Sequence, residues 1–173
     1  NTPTPTGPVS TALADLVQRG TLTADPLQAT AAQGLDRIAQ DLARPTGLFG
    51  RRKPVRGAYL VGAVGRGKTM LMDLFFSALP IAAKRRVHFD EFMDELHTAI
   101  TDYRKSGKGD PIAAVTKPII EQTRLLCLDE FQVTDITNAM LLGRLFEKLF
   151  AAGVTLVATS NTVPDGLYRD GLN

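Results

Sequence analysis

A single cysteine, Cys127, among 173 residues leaves no internal disulfide to form, which excludes a secreted, disulfide-stapled scaffold and makes a reducing compartment the expectation. A charge excess is missing too. Twenty Lys and Arg stand against eighteen Asp and Glu, and a net charge of +2 gives no bulk argument for nucleic acid. No apolar run approaches the roughly 20 residues of a membrane span; FFSALPIAA is among the longest. The opening NTPTPTGPVS is polar and proline-rich, unlike a signal peptide, and has no initiator Met. The chain is therefore expected to be a trimmed or partly disordered product whose ends are not the natural ones. No internal repeat is visible. The length suits one ordinary domain with a core that needs no staples.

What is present begins with helices. Ser10 is placed to cap a short helix through Leu13, Leu16 and Val17 that stops at Gly20. Asp25, Pro26 and Gln28 sign the start of a second, whose apolar stripe runs Leu27, Ala31, Leu35, Ile38, Leu42. TGLFGRRKPVRG then breaks the pattern as a linker or exposed loop, so residues 1–50 read as a helical arm with its linker and residues 51–173 as a core. In the core AYLV, RVHF, LLCLDE and TLVATS read as strands. Between them lie a helix from Lys68 to Leu79, apolar enough to be expected inside the domain, and a helix with Phe92, Leu96, Ile100 and Tyr103 on one face. A helix over Ile112 to Gln122 follows despite Pro118, and Ile136 to Phe150 forms another, closed by Gly153. Strands alternating with helices of this length imply an α/β fold, a parallel sheet sandwiched by helices.

The stretch GAVGRGKTM, running Gly62, Ala63, Val64, Gly65, Arg66, Gly67, Lys68, Thr69, Met70, carries G-x-x-x-x-G-K-[ST] between a strand and a helix, the context that phosphate-loop pattern demands. Glycines let consecutive backbone N–H groups curl round a phosphate, and the following helix points its positive end at the same place. Lys68 then supplies a full charge to the β- and γ-phosphates, and the Thr69 hydroxyl ligates Mg²⁺. The competing reading is a Gly-rich turn that merely caps an inner helix. It leaves a lysine opening an apolar helix without the anion that its burial requires.

Asp129 and Glu130 stand where the LLCLD run emerges at the carboxyl end of a strand, the edge at which parallel sheets bind ligands. Asp129 suits a Mg²⁺ held through water, and Glu130 suits the polarisation of an attacking water. With alternating strand geometry the two acids are expected to point opposite ways. TLVATSN ends its strand at Ser160 and Asn161, and the Asn161 amide is placed to hold the attacking water or a γ-phosphate oxygen. Asp25 and Gln28, in the pattern D-x-x-Q, are candidates to reach an adenine ring as well as to cap a helix. His88 and His97 have no metal-ligand spacing to a cysteine and read as packing or surface residues. The basic runs Arg51, Arg52, Lys53 and Lys84, Arg85, Arg86 read as solvated faces, with contact to anionic lipid or a partner as the alternative. The motifs D-x-x-G and [NT]-K-x-D of guanine-nucleotide switches are absent, so ATP is the expected nucleotide.

GAYLVGAVGRGKTMLMDLFF, RVHFDEFMDELH, LLCLDEFQVTDITNAMLLGRLFEKLF and TLVATSNTVPDGLYRDGL resemble the ZapE cell-division ATPases of bacteria and their mitochondrial AFG-one-like relatives, from about Gly20 to the end. The resemblance implies an AAA+-type P-loop ATPase with Gly62 to Thr69 as Walker A, Asp129 and Glu130 as Walker B and Asn161 as sensor 1. It further implies a cytoplasmic protein peripheral to the inner membrane, self-association in the complete protein, and the division-ring protein FtsZ as partner in the bacterial branch. Nucleic acid is disfavoured: single-strand binding wants aromatics interleaved with basic residues, and the aromatics here mostly fall on apolar helix stripes. A helicase-loader type of ATPase and an ATP-gated binding module remain the alternatives.

Asn138 departs from the family, which more usually has Asp there, and the chain stops at GLN. By the resemblance, a fifth strand, a lid and the arginine that a neighbouring subunit supplies lie past Asn173, with Arg169 the only nearby substitute. Such an arginine contributes on the order of 10³ or more in rate, so these residues alone are expected to bind ATP and turn it over poorly.

Overall fold

The computed structural model describes residues 4–44, 57–61 and 65–160. Along the chain run α1 (Pro8–Gln18), α2 (Pro26–Ala43), β1 (Ala58–Val61), α3 (Gly65–Ala78), β2 (Lys84–His88), α4 (Phe89–Ser106), α5 (Pro111–Gln122), β3 (Leu125–Asp129), α6 (Ile136–Ala151) and β4 (Thr155–Ser160). The strands form one four-stranded sheet in the order β1-β4-β3-β2, and each adjacent pair is parallel.

Strand alternation divides the sheet's apolar side chains between two cores. Leu125, Cys127, Val157 and Leu60 pack with Leu35, Ile38 and Leu42 of α2 and Leu71, Met72 and Phe75 of α3. Leu126, Leu128, Leu156 and Ala158 pack on the other face with Phe92, Leu96 and Ile100 of α4 and Leu142, Leu145, Phe146 and Leu149 of α6. A three-layer α/β/α arrangement results. The N-terminal helices belong to this body, because α2 contributes directly to the first core and the Arg124 guanidinium donates to the Leu42 carbonyl at 2.8 Å.

Local signals placed most helix ends. Asp25, Asp110 and Asp135 each cap a helix, accepting from the backbone N–H of Leu27, Ile112 and Asn138. Proline takes the first helical position in α2 and α5, where its missing N–H costs nothing. Gly20 and Gly153 adopt positive φ after α1 and α6.

Three expectations are corrected. Ser10 lies inside α1, and the helix start is capped from a distance: the buried Asp36 carboxylate of α2 accepts from Val9 N at 2.7 Å, from Ser10 N at 3.2 Å and from the Ser10 hydroxyl. Helix α3 is not enclosed on all sides, since Leu71, Met72, Phe75 and Leu79 are buried while Thr69, Asp73 and Ser77 face solvent. Its sheet-facing side is as apolar as read, but an outer-layer helix in a three-layer fold keeps one wet face. β2 begins two residues earlier than RVHF suggests and ends at His88, and Phe89 opens α4 instead.

Candidate functional site

The carboxyl ends of the parallel strands share one edge, where His88 pairs with Asp129 and Val61 with Ser160 in the sheet register. Helix α3 starts at that edge directly after β1. Its first turn carries Gly67, Lys68 and Thr69, so the positive end of the helix faces the place where Lys68 emerges.

Lys68 is 9% exposed, and its Nζ donates to the Ser160 carbonyl at 2.9 Å. Burial holds its pKa below the ordinary lysine value, and the Glu130 carboxylate pulls the other way. Thr69 is exposed on the same turn, while Met70 turns inward against the α1–α3 core and so offers a ligand its backbone. Gly65 and Arg66 open the helix; Gly62, Ala63, Val64 and Asn161 lie outside the described residues, as do Arg51, Arg52, Lys53 and Arg169.

Asp129 closes β3, and both of its carboxylate oxygens accept from Arg86: Oδ2 from Nε at 2.7 Å and Oδ1 from Nη2 at 3.2 Å. Glu130 has already left the strand. Its φ of 56° is left-handed, rare for a residue with a Cβ, and its N–H donates to Thr159 Oγ1 at 3.0 Å. The expectation that simple strand alternation separates the two acids is thereby corrected. A reversed backbone dihedral aims Glu130, and residues held in this region cluster at functional sites.

His88 meets Glu130 there. Its Nδ1 accepts from the Asp90 N–H at 3.1 Å, which leaves the proton on Nε2, and Nε2 donates to Glu130 Oε2 at 2.7 Å. The Glu130 hydrogen bond is the largest influence on the imidazole and raises its pKa above the ordinary histidine value. His88 is thus a surface residue, as expected, and one tied to Glu130. His97 bonds Asn138 Oδ1 at 3.0 Å, and Asn138 donates its Nδ2 to Asp135 at 2.9 Å, a bond an Asp at 138 could not make.

Sequence reasoning missed Arg86, Asp73 and His88. In the run Lys84, Arg85, Arg86 each side chain has a partner within the chain, Arg85 in an exposed ion pair. Lys84 donates to the Phe76 and Leu79 carbonyls at the end of α3, Arg85 pairs with Glu95 at 2.6 Å, and Arg86 bridges Asp129 and Asp73. The available signal was period two: residues 84, 86 and 88 fall on the α3 side of one strand.

Between α1 and α2 lies a cavity of about 190 Å³ lined by Leu13, Val17, Ala24, Asp25, Gln28 and Gln33 among others. Gln28 extends from it to the phosphate loop, for a Cβ on Gly67 would stand 2.4 Å from Gln28 Nε2. The donor set at the strand edge fits a magnesium nucleotide. One hydroxyl and one carboxylate are hard oxygen ligands, few enough to leave Mg²⁺ its phosphates and waters. Among the described residues no cluster of His, Cys, Asp and Glu forms a protein-only metal cage.

The sequence profile of the AFG1-like ATPases matches residues 6–173. Cell division protein ZapE of Escherichia coli K12 is 51% identical over 136 residues, which cover 76% of this chain and 36% of ZapE. Lactation elevated protein 1 homolog B of Danio rerio is 50% identical over 128 residues, 69% of this chain and 25% of that protein. The chain thus spans about a third or less of the length of these curated relatives. Among solved structures, domain III of the Thermotoga maritima replication initiation protein DnaA superposes with a TM-score of 0.59 at 20% identity, covering 88% of this chain and 60% of that one. DnaI gives 0.52 at 19% identity, covering 82% and 66%. At such identities the likeness is one of fold, the P-loop AAA+ fold.

Proposed function

Because this chain belongs to the AFG1-like ATPase family, we propose that it binds ATP with Mg²⁺ at the carboxyl edge of its sheet and hydrolyses it. The observation that carries this reading is the Lys68 ammonium, buried at the start of α3 and attracted by Glu130 beside the Asp129 carboxylate. Gly62 to Met70 cradle the phosphates, Lys68 neutralises the β- and γ-oxygens, and Thr69 with Asp129 would hold the metal, which when bound offsets charge on the phosphates. Glu130 orients and polarises water, and Asn161, the next residue in sequence after β4, senses the γ-phosphate. His88, donating to Glu130, fixes the direction of that carboxylate before nucleotide arrives. The base lies against Gln28 in the cavity between α1 and α2.

The work of hydrolysis is done on a protein client. For a relative of a cell division protein we take this to be the division ring, with FtsZ as partner, met by a self-associated complete protein at the inner membrane surface. Among the described residues no helix is long and apolar enough to cross a membrane. Lys68→Ala and Glu130→Gln separate hydrolysis from simple binding. Loss of function in both supports an ATPase, whereas loss in Lys68→Ala alone would make the protein an ATP-gated binding module.

A further inference from the structure

We propose that Arg86 is a positioning residue for magnesium, a brace that fixes the two elements carrying the two candidate metal ligands; this rests on the nucleotide reading above. Arg86 stands on β2 and reaches across the sheet edge to both neighbours. Its Nε and Nη2 take the two oxygens of Asp129 on β3, and its Nη1 donates to Asp73 on α3. Asp73 lies one helical turn beyond Thr69, on the same solvent-facing side of α3. One guanidinium therefore sets the rotamer of Asp129 and, through Asp73, the distance from β3 to the turn that presents the Thr69 hydroxyl.

The chemistry of the pair favours this role over plain adhesion. A two-point contact on Asp129 removes the rotation that a single contact leaves, which only the planar fork of arginine achieves. Each carboxylate oxygen keeps a second lone-pair direction, so Asp129 stays able to accept from a metal-bound water. The side chains of Arg86 and Asp129 are each 21% exposed, sheltered enough to resist screening, whereas Asp73 is 59% exposed and acts as the outer anchor. Groups that orient a metal ligand typically influence metal affinity by roughly 10- to 100-fold.

The test titrates Mg²⁺ against the binding of a fluorescent ATP analogue, with parallel titrations in EDTA, for the unaltered chain, Arg86→Lys and Asp73→Asn. Arg86→Lys keeps the charge and loses the fork. It is expected to raise the half-saturating Mg²⁺ by roughly tenfold while leaving metal-free nucleotide affinity within about twofold. Asp73→Asn, an exposed change that leaves the sheet untouched, is expected to give a smaller shift in the same direction. Half-saturating Mg²⁺ that is unchanged in both variants overturns the proposal. So does an equal loss with and without metal in Asp73→Asn, which would mark a structural tie only. Failure of the unaltered chain to bind the analogue at any Mg²⁺ concentration overturns the nucleotide reading itself, and the proposal with it.

Discussion

Lys68 of α3 donates its Nζ to the carbonyl of Ser160, the last residue of β4, across 92 positions of sequence at 2.9 Å. A charged group is thereby held out of water at the mouth of the sheet, a cost that burial registers as a lowered pKa. Since the folded value lies below the unfolded one, the buried charge costs stability at neutral pH. That cost is relieved as pH rises through the folded value toward 10.5. Lys68→Met should leave the nucleotide-free protein at least as heat-stable as the parent at pH 7 while abolishing ATP binding. Calorimetric melting beside a binding titration checks both; a clear fall in melting temperature would contradict the cost assigned here.

His88 offers a direct electrostatic readout. Its pKa is raised chiefly by the hydrogen bond to Glu130, so the charged pair contributes fully below about 6.5, the unfolded value, and is lost as pH climbs through the higher folded value. Imidazole resonances followed by NMR should titrate above that value in the parent and move down in Glu130→Gln. Identical titration in the two proteins would show that His88 and Glu130 do not meet in solution.

Those two residues also mark the border of what was legible beforehand. The parallel α/β plan, the strand end at Asp129 and the start of α2 follow from local patterns: short apolar runs alternating with helical stripes, and the cap Asp25 with Pro26 behind it. The left-handed turn at Glu130, which replaces the expected strand geometry, is imposed by Thr159 and Phe131, whose N–H donates to the Thr159 carbonyl at 2.7 Å. No pattern within LLCLDE reports that partner. The partners of Lys84, Arg85 and Arg86 were not legible in the run itself because their anions and carbonyls come from α3, α4 and β3. The Asp36 cap on α1 was hidden for the same reason, a partner more than 25 residues away.

Cys127 is fully buried in the middle of β3, and desolvation pushes its thiol up to about 12. The thiolate is therefore not populated at neutral pH, and a thiol reagent should modify the native chain only as fast as it unfolds. Reaction at the rate of a free thiol without denaturant would contradict the assigned burial.

Gly57 precedes β1 with its Cα against the neighbouring strand, and a Cβ there would stand 1.7 Å from the Leu156 carbonyl oxygen. Backbone cannot yield as a side-chain tip can. Gly57→Ala is expected to destabilise the fold by about 2 kcal/mol or more through forced separation of β1 from β4, read as a lower urea midpoint. An unchanged midpoint would contradict the contact.

Nucleotide association itself bears most directly on the account. Isothermal calorimetry of ATP with Mg²⁺ should give a saturable heat for the parent chain and none for Lys68→Ala at the same concentrations. No heat from the parent, or equal heat from both, would contradict the assignment of this edge as a phosphate cradle.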